Sequence, residues 1–392
     1  MVGMMRGKNY ICTLILLLSS SLGAIAGDEY EEGFLTSHLN RFLSRSIESN
    51  EAGKDSTLAM QYGRNVKGWV SAPQFGGYLV AKYAYTDKSN ANTSNSFETR
   101  LVRAYVSGTV LRDFRYRIQV ELRNTPAMRD YTLEWIHWKE FQVKVGQFKR
   151  CFTFENPTNP WDIGFGGYSQ LAMRMCAFGA EDPSGEVAQN GRDQGIQLSG
   201  DLFPIWHGKH RLIHYKAAIF NGNGQNRSDN NNKKDWMGCL QVQPMEGLRI
   251  ALFGWKGSYK ANEVTVSRNR YCISASLERK DWSVRAEYAH HTGHNALAYD
   301  ANSHTFADTG RADGWYAAVG APITAWLKAY LRYDVYRKDA HWDSSRTLYT
   351  ICPNIQLHKN LMFQLQYNYV IDKGNYQDKH YNELWAEAFV RF

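Results

Sequence analysis

The chain has 392 residues, with 46 Lys and Arg against 38 Asp and Glu, a net charge of +8, and aromatics at 14%. Its mean hydropathy of −0.51 excludes a helical membrane protein, which needs runs of about 20 apolar residues. The basic excess is mild and does not point to nucleic acid as a partner.

Residues 1–26 read as a secretory signal. Arg6 and Lys8 form the basic start, residues 10–22 the apolar core, and Ala24, Ile25 and Ala26 the small-residue cleavage site. The core is too short to hold the chain in a membrane, and no Cys follows it to carry a lipid. Cys12 leaves with the signal. The remaining Cys151, Cys176, Cys239, Cys272 and Cys352 are odd in number, scattered and without a CxxC pair. Incidental residues outweigh a disulfide framework or a metal site there.

Residues 27–72 differ in pattern from the rest of the chain. Leu35, Leu39, Phe42, Leu43 and Ile47 recur at helical spacing, which predicts a short amphipathic N-terminal helix and a loose linker. A lumen plug, a periplasmic contact and a plain extension are all open readings.

From Phe75 onward the pattern has a period of two. Leu79, Ala81, Tyr83 and Tyr85 alternate with Tyr78, Val80, Lys82 and Ala84. Tyr116, Ile118, Val120 and Leu122 oppose Arg115, Arg117, Gln119, Glu121 and Arg123. Tyr271, Ile273, Ala275 and Leu277 oppose Arg270, Ser274, Ser276 and Glu278. In the last stretch, Leu384, Ala386, Ala388, Val390 and Phe392 oppose Glu383, Trp385, Glu387, Phe389 and Arg391. Such alternation predicts strands with one apolar and one polar face. About sixteen strands emerge over residues 73–392, with aromatics near their ends. Tight turns fall at every second junction. Long polar connections fall at 87–96, 221–233, 257–267, 292–311, 338–345 and 372–380. These features together predict an all-β, transmembrane antiparallel β-barrel in the outer membrane of a Gram-negative bacterium, with lipid outside and a wet lumen inside. A soluble sandwich would not sort its loops this way, and a propeller would show a blade-length repeat. The terminal Phe392 resembles the signal that such barrels present to their assembly machinery.

One connection, 149–192, is far longer than the rest. It carries Pro157, Pro160, Pro183 and the run from Gly164 to Gly167. A structureless loop of this length is uncommon unless it works. Trp161, Phe165, Tyr168, Leu171, Met173 and Met175 need burial, so it is expected to fold inward and narrow the lumen. Around it the chain resembles the bacterial phosphate-selective porin O and P family, through VGQFKRCFTFENPTNP (145–160) and GRDQGIQLSGDLF (191–203). YKAAIFNGNG (215–224) and LRYDVY (331–336) support the match. Cys151 stands where an apolar or proline residue is frequent. The resemblance implies a homotrimeric porin that passes small anions such as chloride or phosphate by diffusion. Phosphate preference is not shared by every relative, and the family's phosphate-coordinating lysines are not assigned to positions of this chain.

Parity assigns Arg103, Arg115, Arg117, Arg123, Lys144, Lys216, Arg270, Arg285, Lys328 and Arg332 to the lumen, and the long loop adds Lys149, Arg150 and Arg174. Rings of Arg and Lys select anions. Against them stand Glu121, Glu134, Glu278, Glu287, Asp334 and Glu387 as structural partners, so the expected selectivity is mild. His290, His291 and His294 are expected to be solvated loop residues. No GxSxG, HExxH or P-loop occurs, and neither a cofactor nor a metal is implied. A sealed outer-membrane barrel acting as an enzyme or an adhesion protein is the alternative.

Overall fold

The computed structural model describes residues 70–392, apart from 90, 179–181, 188–189, 206–209, 262 and 376. The expected signal and N-terminal helix lie outside the described residues. In chain order the strands begin with β1 (Gln74–Thr86), β2 (Asn95–Val110), β3 (Phe114–Glu121), β4 (Ala127–Trp135), β5 (Gln142–Lys149) and β6 (Arg192–Ile205). They continue with β7 (His210–Phe220), β8 (Asp235–Met245), β9 (Leu248–Ala261), β10 (Val264–Arg279) and β11 (Trp282–Thr292). A small hairpin, β12 (Tyr299–Asp300) and β13 (Thr305–Phe306), precedes β14 (Arg311–Pro322), β15 (Leu327–Arg337), β16 (Ser345–His358), β17 (Leu361–Asp372) and β18 (His380–Arg391). All but that hairpin close into a sixteen-stranded antiparallel barrel.

Closure joins β1 to β18, in a register running from Tyr78 opposite Arg391 to Thr86 opposite Glu383. Beyond it, Gly77 and Phe392 exchange both backbone bonds, at 3.0 and 3.1 Å. A closed ladder satisfies the strand amides inside a hydrocarbon layer, where an open edge would be left unpaired. The period-two pattern maps onto two solvents. In β16, Tyr349 and Ile351 are exposed while Thr350 and Cys352 are buried. In β18, Glu387 and Phe389 are buried, and Phe392, just past its end, is 71% exposed. Large apolar side chains on the outside suit a lipid surround. Aromatics form a band there, with Tyr271 beside Tyr288 (6.2 Å), Tyr333 beside Tyr349 (5.3 Å) and Tyr349 beside Tyr369 (6.4 Å). Trp282 and Trp326 mark the opposite end.

At the end holding Gln74 and Arg391, the junctions are short: 111–113, 136–141, 246–247, 280–281, 323–326 and 359–360. At the other end most are long, and this end is external by the usual barrel asymmetry. One expected loop there, 257–267, is instead ladder. β9 and β10 stay paired from Leu248 opposite Leu277 up to Ala261 opposite Val264. The pairing persists because Tyr259 and Val266 bury themselves against Ala296 of the neighbouring connection, so these polar strands keep an apolar support.

Ile351 lies mid-strand on the lipid face. Ile351→Arg should cost about 2–4 kcal/mol, whereas a lumen change such as Thr350→Ser should cost far less. Urea titration of the barrel in lipid vesicles, followed by heat-modifiable gel mobility, measures both.

Candidate pore and its constricting loop

The connection between β5 and β6 enters the barrel. Its base is tied by Arg150 N–H donating to Gly191 O (2.8 Å), with the Asn156 amide donating to both Arg150 O (2.8 Å) and Gly191 O (3.2 Å). Gly191 has φ +66°, and a Cβ there would lie 1.9 Å from Asn156 Oδ1, so only glycine fits. The buried Arg150 guanidinium donates to Glu186 and to Asp193, each at 2.8 Å. Arg268 of β10 pairs with the same Glu186.

Farther in, the loop lacks a strand partner, and the barrel wall supplies acceptors and donors. Glu287 of β11 accepts from the backbone N–H of Phe154 (2.7 Å) and of Glu155 (3.0 Å). Arg285 donates to Ile163 O (2.6 Å), Asn354 to Gly164 O (3.1 Å) and Arg332 to Gly167 O (3.0 Å). Gly166 N–H donates to Gln366 Oε1 (2.7 Å). A short helix, α1 (Gln170–Met175), is capped by Ser169, and Asp334 accepts from its first amide at 2.9 Å, where an acid suits the helix dipole. On the return, Asp182 accepts from Arg270 at 2.6 Å. Burial alone would raise the Asp182 carboxyl, but Arg270 overrides it and holds it at about 2.

Apolar contacts follow the same path. Phe152 meets Trp255 at 5.5 Å, Phe154 meets Phe253 at 5.5 Å, and Phe165 meets Tyr330 at 5.5 Å. Trp161 meets Phe389 at 6.0 Å, and Asn159 donates to the Tyr78 hydroxyl at 3.1 Å. Ile163, Leu171 and Met175 are fully buried. The loop thus reaches from β5 across the lumen to β18 and β1. Its inward course and the burial of Trp161, Phe165, Tyr168, Leu171 and Met175 agree with the expectation from sequence; Met173 is partly buried.

The expected pore cations divide. Arg150, Arg285 and Arg332 hold the loop, and Lys149 donates to Thr158 O (2.9 Å) and the Tyr168 hydroxyl (3.2 Å). Arg174 lies over Tyr336 at 4.6 Å and Lys328 over Tyr330 at 5.3 Å. Lys216 is buried on the inner face of β7. Arg123 is a correction: it lies past the end of β3, exposed, donating to Thr99 O at 3.2 Å, so strand parity does not govern it. His290 and His291 are another, since both lie in β11, whereas His294 sits in the connection after it, partly exposed. His291 is buried on the inner face of β11, between Arg270 (3.0 Å) and Gly293 O (2.8 Å), because β11 runs on to Thr292.

Arg103, Arg115, Arg117 and Lys144 line the wall made by β2 to β5. Glu121 faces both Arg103 (2.8 Å) and Arg129 (3.8 Å). Glu134 faces both Arg115 (3.7 Å) and Lys144 (3.8 Å). Arg117 lies over Tyr105 at 4.2 Å. Two carboxylates therefore face four cations. Sequence reading missed Arg129, because the register shifts between Gln119 and Val120, and Arg100, beside the shift at Val80 and Ala81. It also missed Arg268, which shares parity with Arg270, and the loop acids Glu155, Asp182 and Glu186.

Comparison with known proteins fits this geometry. The profile described as phosphate-selective porin O and P matches residues 75–281. Among solved structures, an anion-selective porin from Comamonas acidovorans is similar at 13% identity and TM-score 0.61, covering 82% of this chain and 99% of that one. The outer membrane channel DcaP of Acinetobacter baumannii is similar at 10% identity and TM-score 0.60, covering 82% and 97%. A trimer form of OmpT from Vibrio cholerae is similar at 13% identity and TM-score 0.56, covering 82% and 99%. At such identities the likeness is one of fold. No curated protein matches in sequence.

Glu287→Ala would leave the Phe154 and Glu155 amides without their acceptor, at about 1–3 kcal/mol each for a buried group. The variant should show noisier, larger conductance steps than wild type. Asp182 has its folded-state pKa depressed, so its contribution is present above the unfolded value and lost only as pH falls toward about 2. The share of loop anchoring supplied by Asp182 should therefore be constant between neutral pH and about pH 5. Asp182→Asn, which removes that charge, should raise conductance noise at neutral pH in single-channel records.

Proposed function

Because the chain belongs to the phosphate-selective porin O and P family, whose members are outer-membrane channels, we propose that it conducts small anions past its inward loop along the wall of β2 to β5. The observation that carries this reading is the shared carboxylates. Glu121 and Glu134 each serve two cations, and Asp130 of β4 is held by Arg192 of β6, so Arg103, Arg115, Arg129 and Lys144 outnumber the two carboxylates they share. A passing anion supplies the missing counter-charge. Chloride and phosphate both fit; nothing in the wall favours one over the other. The loop packs on the inner face of β9 to β15, and Arg150, Arg285 and Arg332 act as fasteners rather than filters.

The same reading makes the protein a passive diffusion channel rather than a sealed enzyme or adhesion barrel. Assembly as a homotrimer is part of the proposal, supported by the trimer form of the Vibrio cholerae neighbour. Lipid and the barrel assembly machinery are its remaining partners.

Reversal potential in a KCl gradient across a planar bilayer tests the charge claim. The wild type should favour chloride, most strongly in dilute salt, because screening acts over about 8–10 Å at physiological ionic strength. Arg115→Glu combined with Arg117→Glu should shift the permeability ratio toward potassium by about fivefold or more, on roughly 1 kcal/mol per close charge contact in water. A wild-type preference for potassium would overturn the reading.

A further inference from the structure

The lipid-facing surface contains a groove that the pore does not use. It has a volume of about 500 Å³ and lies over β8, β9, β10 and β11, lined in part by Trp236, Gly238, Gly254, Lys256, Tyr271 and His290. Its floor is set by the register. Gly238 pairs with Gly254, Gly254 with Tyr271, and Tyr271 with His290. This row belongs to the external aromatic band, yet two neighbouring strands contribute no side chain to it. One row toward the membrane interior stand the exposed Leu240, Leu252 and Ile273. One row toward the external loops stand Trp236, Lys256 and Asn269.

The protein itself gives no reason for these two glycines. Neither has a positive φ. A Cβ at Gly254 would meet nothing within 4 Å, and one at Gly238 would meet only Lys216 O at 3.8 Å. At the other described strand glycines a Cβ would come within 3.2 Å of a neighbour. Glycine inside a strand weakens it and often marks the close approach of a ligand. Lys256 stands directly above the gap, exposed, with no ion pair among the described residues. A lysine at a membrane rim keeps its ammonium at the headgroup level while its stem lies along apolar surface.

We infer that this groove binds a phosphate-bearing lipid of the outer leaflet, one acyl chain lying over Gly238 and Gly254 and its phosphate against Lys256. The charge at the top and the apolar floor below match the two ends of such a lipid. Trp236 and Tyr271, exposed on either side, supply the walls. Tyr271 is steadied from behind by His290 at 5.5 Å.

Native mass spectrometry of the full-chain barrel in detergent tests this, with bisphosphorylated lipid A and phosphatidylcholine as probes. Wild type should retain one lipid A per barrel in preference to phosphatidylcholine. Lys256→Gln should lower lipid A retention about fivefold, the value of one lysine near a charged surface, and leave phosphatidylcholine unchanged. Gly254→Leu should fill the groove and remove retention of lipid A while heat-modifiable mobility and conductance stay as in wild type. Excess inorganic phosphate, which has no chain for the groove, should not displace the lipid. Equal retention by wild type and both variants would overturn the inference. So would displacement by phosphate, or an oligomer that dissociates in Gly254→Leu with lipid retention intact, which would assign the groove to a second copy of the chain.

Discussion

A loop that runs inside a barrel has no strand beside it to satisfy its amides and carbonyls, and a buried backbone group left unpaired costs about 1–3 kcal/mol. That constraint organises the interior. Glu287, Asp334 and Gln366 act as acceptors for loop amides, and Arg285, Arg332 and Asn354 as donors to loop carbonyls. Side chains that strand parity marks as lumenal are therefore spent on holding a backbone in place. Charges in such positions serve geometry first, and their number is a poor guide to the field in the channel.

The apolar half of the interface explains which wall is used. Alanines and aromatics of the inner face, such as Ala251, Phe253, Trp255, Ala289, Ala312 and Tyr330, pack with loop residues from Phe152 to Met175 in one cluster. They lie on β9 to β15. An inner face that buries apolar side chains against a loop cannot also be the wet side of a pore. The wall of β2 to β4, with Arg103, Arg115 and their carboxylates, contributes no side chain to that cluster, which reaches β5 only through Phe148, 5.2 Å from Lys144. The division of labour between a dry wall and a charged wall comes from one loop choosing where to lie.

Period two is a strong signal when each face meets a different solvent, and so the barrel, its strand number and its lumen parity were legible in residues such as Tyr271, Ile273 and Ser274. Burial of Trp161, Phe165 and Leu171 was legible too, because apolar side chains in a long connection need a home. Parity says which face a residue occupies, but not how high on the strand it sits or what the loop brings to it. Arg123 falls beyond its strand for that reason, and His291 falls within one. The shifts near Val80 and Gln119 hid Arg100 and Arg129, since a bulge reverses parity without leaving a mark in composition. Gly238 and Gly254 are ordinary residues in sequence; only the register that sets them side by side turns two separate glycines into a gap.

The central claim is that the loop lies within the lumen and limits the pore. Single-channel conductance of a variant lacking residues 164–178, compared with wild type in the same bilayer and salt, tests it most directly. Larger conductance and weaker ion selectivity are predicted for the variant, because the loop's bulk leaves the lumen and the charged wall moves farther from the path. Unchanged conductance from a correctly assembled, heat-modifiable variant would contradict the claim, since a loop that can be removed without widening the pore does not constrict it.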